Sequence, residues 1–263
     1  MPVHLLSPRD IKAEARNFMR NAQVSPLKFT LLYLIALLIL DEITAVSDFI
    51  LGSSFLSGIP FFSLSFIGIL STLIANVFSA GYNCYTLGIL RGDKMPYESL
   101  FDGFSFAGKV IGLLIVEGIF VFLWSLLFLI PGIIAIYRYS FALWNLCQNP
   151  NLGIFEALNL SKVQTDGYKA QLFFLQLNFI GWFLLAALIG WTYSSISLSL
   201  IPPTLSGILI DTLLLAFLSG ILDFYLVPYM SFSTGIFYRC ATTPIDTSSS
   251  QQSKSTDPWD TNF

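Results

Sequence analysis

Four ionisable residues stand in or beside long apolar runs: Glu117 between Val116 and Gly118, Arg138 between Tyr137 and Tyr139, and Asp211 and Asp223 towards the C-terminus. A charge at mid-membrane costs about 2.5–3.5 kcal/mol on insertion scales, so four together point away from lipid. Two readings are open. Either these residues form a polar pathway or binding site among helices, or Arg138 sits in one structural ion pair while the other acids are protonated or near an interface. Depth ranks the partners of Arg138. At 1.5 Å per residue, Arg138 lies about 10 Å below Pro131 and Glu117 about 20 Å below it. A last span beginning near Leu218 brings Asp223 to the right depth, and one beginning near Leu205 brings Asp211. A length of roughly 20 residues before Arg239 favours the later start. The expected partner is therefore Asp223, with Asp211 second and Glu117 third.

Other chemistry has little material. No phosphate-binding loop, nucleophile elbow, zinc-protease motif or dinucleotide fingerprint is present. The single histidine is His4, and Cys84, Cys147 and Cys240 have no CxxC spacing. No catalytic residue, metal site or cofactor is expected, and apolar packing is the default role of the three thiols. Gly88–Gly92 and Gly108–Gly112 match the GxxxG spacing that lets membrane helices approach, within one chain before between two.

The elements that carry these residues follow from composition. Of 263 residues, 55% are hydrophobic and only 11% charged, with a mean hydropathy of +0.72. A soluble domain carries about 25% charged residues, so this is an all-α, multi-pass membrane chain. A net charge of −3 without a clustered basic face excludes nucleic acid as a partner and leaves membrane lipid. No signal peptide is expected, because the first long apolar run begins only near Leu27, after a basic helix.

Six spans are expected: about Phe29–Val46, Leu70–Leu90, Val110–Ile130, Ile133–Cys147, Ala170–Gly190 and Leu218–Tyr238, with Pro131-Gly132 as the tight turn between the third and fourth. Basic residues flank alternate connections only. Arg9, Lys12, Arg16, Arg20 and Lys28 precede the first span, and Arg91, Lys94 and Lys109 separate the second from the third. Lys162 and Lys169 separate the fourth from the fifth, and Arg239 and Lys254 follow the sixth. The positive-inside rule then places both termini in the cytoplasm of a plasma-membrane protein.

Three parts result: residues 1–28 as an amphipathic cytoplasmic helix, 29–240 as the bundle, and 241–263 as a disordered tail. Ser7-Pro8 starts the N-terminal helix as cap and first helical residue. Ile11, Ala15, Phe18 and Ala22 form its apolar stripe, opposite Arg9, Lys12, Arg16 and Arg20. It either lies on anionic lipid or is a solvated helix that orients the first span. Tyr97–Phe104 and Phe155–Lys162 are two further short amphipathic stretches on the same side. The outer connections, Phe49–Leu70 and Leu198–Phe217, are apolar, and either lengthen the spans or lie on the outer leaflet.

At Leu123–Pro150, LWSLLFLIPGIIAIYRYSFALWNLCQNP, the sequence resembles the bacterial integral-membrane family known as domain of unknown function 975. Glu156-Ala157-Leu158, Ser161-Lys162, Gly167-Tyr168-Lys169, Phe179–Trp182, Pro228-Tyr229 and Phe237-Tyr238 extend the resemblance to roughly residues 8–240. It implies a Gram-positive plasma-membrane protein of about six helices and no assigned activity. Members often carry a basic residue near position 135, where this chain has Ala135 and places its charge at Arg138. The leading expectation is a non-enzymatic factor acting through lipid and helix contacts, in envelope organisation or amphiphile handling. Any membrane-protein partner is unspecified. The alternative is a small transporter or channel using the intramembrane charges.

Overall fold

The structure, a computed structural model, describes residues 8–22, 25–51, 66–201 and 204–242, which form helices and no strand. In order these are α1 (Pro8–Asn21), α2 (Pro26–Leu51), α3 (Phe66–Arg91), a 3-10 helix (Tyr97–Phe106), α4 (Ala107–Leu127), α5 (Leu129–Tyr139), α6 (Ala142–Gln148), α7 (Ile154–Gln164), α8 (Lys169–Leu177), α9 (Ile180–Leu200) and α10 (Leu205–Thr242). The fold is all-α and polytopic. Five described helices are long and apolar enough to cross a membrane: α2, α3, α4 with the 3-10 helix before it, α9 and α10.

The expected fourth span is not one of these five. It is split into α5 and α6, of 11 and 7 residues. Nor is Pro131-Gly132 the turn. The chain reverses at Phe128, whose backbone is extended (φ −161°, ψ 153°), and Pro131 falls in the first turn of α5, where its missing N–H costs nothing. Gly132 instead allows close packing. A Cβ there would meet the Cα of Ser125 on α4 at 3.0 Å and its Oγ closer still.

The fifth run is broken as well, at Asn178-Phe179 between α8 and α9. The sixth begins at Leu205, not near Leu218, and continues for 38 residues, about 57 Å at 1.5 Å per residue. The bilayer length that favoured a later start does not bind here, because the last turns of α10 pack into protein. The second apolar connection consists largely of lengthened α9 and α10. Ser7, residues 52–65 of the first connection and the tail from 243 lie outside the described residues.

Contacts collect the basic flanks at one end of the bundle. Phe29 at the start of α2 stacks on Tyr85 near the end of α3, with ring centroids 3.7 Å apart. Arg239 of α10 donates to the Leu90 carbonyl at 2.5 Å, and Lys109 of α4 donates to the Pro150 carbonyl at 2.5 Å. The buried residues gather at this basic end. Phe29, Tyr85, Leu100, Phe141, Phe232 and Tyr238 fill one cluster, and Val110, Tyr139, Leu146 and Leu158 a second. Towards the far end the helices are bare: Ile50 is 69% exposed and Phe217 68%. Large apolar side chains left outside over whole helix faces are what a lipid solvent permits and water does not.

The 3-10 helix lies flat on α3 because two glycines remove the side chains between the backbones. A Cβ on Gly81 would strike the Leu100 carbonyl, and one on Gly103 the Val77 carbonyl. Gly235 serves α10 similarly, since a Cβ there would lie 2.7 Å from Leu90 and 3.2 Å from Trp144. Of the GxxxG glycines, Gly88 and Gly112 face Met95 and Ile154 of the same chain, and Gly92 makes the turn after α3 at φ +90°.

Candidate functional site

The break between α5 and α6 exposes backbone groups inside an apolar bundle, and each needs a partner. Ser140 Oγ donates to the Tyr137 carbonyl at 2.9 Å. Ser161 of α7 does the rest: its hydroxyl accepts from Phe141 N–H at 3.2 Å and donates to the Arg138 carbonyl at 2.9 Å. Thr165 Oγ1 lies 3.3 Å from the same carbonyl. A serine from a neighbouring helix thus closes the gap that splits this run.

One turn further on, Asn145 of α6 joins α7 to α10. Its amide donates to the Ala157 carbonyl at 3.3 Å and to Gln164 Oε1 at 2.9 Å. Its carbonyl oxygen accepts from the Tyr238 hydroxyl at 2.9 Å, and Gln148 Oε1 is a second partner of that hydroxyl. Tyr238 also packs against Trp144 and Phe141. A buried polar network in low dielectric favours one arrangement of the helices that share it. Sequence reasoning did not single out Ser161 or Asn145 for this role, although a polar residue within an apolar run was the available signal.

The four intramembrane candidates are not brought together. Arg138 forms no ion pair with Asp223, Asp211 or Glu117, whereas Lys169 does pair with Asp166, at 3.0 Å. The expected pairing fails for a geometric reason. Arg138 is on α5, which packs on α4, α7 and α8, whereas the aspartates are on α10, which packs on α1, α2, α3 and α9. Arg138 Nε is buried without a hydrogen-bond partner. Glu117 is half-buried on α4. Asp211 pins α10 to α9 by accepting from the Tyr193 hydroxyl at 2.8 Å. Glu42, which was not a candidate, pins α2 to α10 by accepting from Thr212 at 2.6 Å. Asp223 lines a groove between α2 and α10 that also contains Asp41.

The N-terminal helix spends its apolar stripe on protein. Ile11 and Ala15 are fully buried, and Phe18, Met19 and Ala22 pack beside them in the larger cluster. What remains outside is the basic face, with Arg9, Arg16 and Arg20 exposed. Lys12 reaches over the Phe179 ring at 4.8 Å. Burial and the neighbouring Arg16 lower the pKa of its amine. Close by, the 3-10 helix and α7 leave Tyr97, Phe101, Phe104, Phe155 and Leu160 exposed.

These features define an all-α membrane protein whose helices are tied at one end by buried polar contacts and by short helices. Residues 126–243 match the model of a family described as "Protein of unknown function (DUF975)". The match runs from the last turn of α4 to the end of α10, so it contains the helix break, Ser161, Asn145 and Tyr238. Comparisons with curated proteins and with solved structures returned no match.

Proposed function

We propose that this chain is a non-enzymatic factor of the bacterial plasma membrane, with both termini in the cytoplasm, acting on the cytoplasmic leaflet through lipid and helix contacts. The observation that carries this reading is the composition of the basic end. Exposed rings of Tyr97, Phe101, Phe104 and Phe155 lie on short helices, in company with Arg9, Arg16, Arg20 and the flanking lysines. Aromatic side chains suit the headgroup region, and each base near an anionic surface contributes about 1 kcal/mol of attraction. Because Ile11 and Ala15 are already buried, α1 meets lipid through charge and not through an inserted apolar face.

A transporter or channel is the second reading, and the groove bearing Asp41 and Asp223 is the feature in its favour. Neither Glu117 nor Arg138 is among the described residues that line it.

The test is capture of the full chain from native membranes in mild detergent, with identification of co-purifying lipid and protein. Anionic lipid should be enriched over its bulk fraction. Replacing Arg9, Lys12, Arg16 and Arg20 by glutamine should remove most of that enrichment, and moderate salt should weaken it, since exposed charges are screened over about 8 Å at physiological ionic strength. Enrichment unchanged by the fourfold substitution would dismiss α1 as the lipid contact.

A further inference from the structure

The groove between α2 and α10 belongs to no contact described above. Its volume is about 620 Å³, in the range of a small-ligand site. The walls are apolar, including Leu34, Leu38, Leu213 and Phe224, and the described lining holds two carboxylates, Asp41 and Asp223, and no base. Neither carboxylate forms an ion pair among the described residues.

The Thr212–Glu42 hydrogen bond sets the register of the two antiparallel helices. Counting from it, Asp41 lies opposite Leu213, ten positions from Asp223, so the two acids stand about 15 Å apart along the groove. Asp223 shares its end with Ser219, one turn away on the same face of α10 and also in the lining. The groove therefore has an acid at each end, with Asp223 beside the Ser219 hydroxyl at one and Asp41 at the other, and an apolar length between them.

We propose that this groove binds a cationic amphiphile with a single alkyl chain, its ammonium seated between Asp223 and Ser219 and its chain laid along the leucines of α2. The complementarity is twofold. A carboxylate facing lipid is costly unless a cation pairs with it, and no base lines the groove, Lys28 standing one turn beyond Leu31 on α2 without pairing to Asp223. The volume suits one chain. A helix about 10 Å wide over the same 15 Å fills roughly 1,200 Å³, about twice the space available. This inference is independent of the lipid contacts at the basic end.

The experiment uses the full chain in nanodiscs of phosphatidylcholine alone, with radiolabelled dodecylamine in a proximity assay, competed by dodecanol and by dodecyl sulfate. Saturable binding is expected, with the alcohol and the sulfate each at least about tenfold weaker than the amine, as a charge-assisted hydrogen bond implies. Asp223→Asn should abolish the preference for the amine. Asp223→Glu, which keeps the charge, should retain it and so separates loss of the site from loss of the fold. Asp41→Asn, at the far end, should change affinity by less than about threefold, below the effect of a lost charge-assisted bond. Equal competition by dodecanol, or a preference that survives Asp223→Asn, overturns the proposal. So does efficient cross-linking of Leu34→Cys between two copies, which would put a second chain in the groove.

Discussion

Gly103→Ala is expected to lift the 3-10 helix from α3 and to cost about 3 kcal/mol, near the upper end of overpacking penalties because the clash is between backbones. The new Cβ would collide with the Val77 carbonyl oxygen, and no side-chain rotation relieves that contact. Lifting the helix would also expose its own Ser99 and Leu100, both on its buried face. Gly81→Ala should act in the same way, through the Leu100 carbonyl. Gly118→Ala is the matched control. It lies on α4 with nothing within 4 Å of its added Cβ, so it should be neutral or gain up to about 1 kcal/mol from helix propensity. Thermal unfolding of the three variants in one detergent checks the ranking. A Gly103→Ala variant as stable as the Gly118→Ala control would contradict the close approach.

The second large effect belongs to Asn145. Asn145→Leu keeps the approximate volume but leaves the Gln164 side chain without its partner, and takes one acceptor from the Tyr238 hydroxyl and a second donor from the Ala157 carbonyl. With buried groups costing about 1–3 kcal/mol each when left unpaired, a total near 3 kcal/mol is expected after relaxation. Tyr238→Phe alone removes one hydroxyl and should cost about 1 kcal/mol, part of it shielded because Gln148 is a second partner. The double variant should lose less than the sum of the two singles, since each removes the same hydrogen bond. Strict additivity in chemical unfolding would show that the two side chains do not communicate.

The fold class was legible because it rests on bulk quantities. Apolar runs gave the long helices, and alternating basic flanks anticipated the end at which Phe29, Leu90 and Arg239 meet. The breaks were not legible, because they depend on partners far along the chain. Nothing between Ile133 and Cys147 announces a gap at Ser140-Phe141, where the compensating hydroxyl, Ser161, is 20 residues later. The Pro131-Gly132 pair misled for a related reason. Proline marks a helix boundary without saying on which side of it the chain turns, and here it begins α5. The glycines that bring backbones together, Gly81 and Gly103, lie outside the GxxxG pattern, since they match a 3-10 helix across α3 and not two parallel spans.

The Arg138–Asp223 expectation used depth alone. Two residues at one depth meet only if their helices are neighbours, and which helices are neighbours is a long-range property. Arg138 sits on α5, which packs on α4, α7 and α8, while Asp223 opens onto the groove beside α2. The N-terminal helix was half legible. Spacing set Ile11 and Ala15 on one stripe, but they are buried in protein, a destination that periodicity does not distinguish from lipid.

The central claim is one-sidedness: short helices, bases and packed core at one end, proposed to be the cytoplasmic one, and bare apolar helices beyond. Thiol labelling of intact cells tests it most directly. In a background with Cys84, Cys147 and Cys240 replaced, single cysteines are placed at Ser54 and Ser206, and at Ser105 and Ser253. Ser105 and Ser206 are exposed, and Ser105 lies in the last turn of the 3-10 helix at the basic end while Ser206 lies in the first turn of α10 at the other. A membrane-impermeant reagent should label positions 54 and 206 from outside and reach 105 and 253 only after the cells are opened. Labelling of position 105 in intact cells would contradict the account.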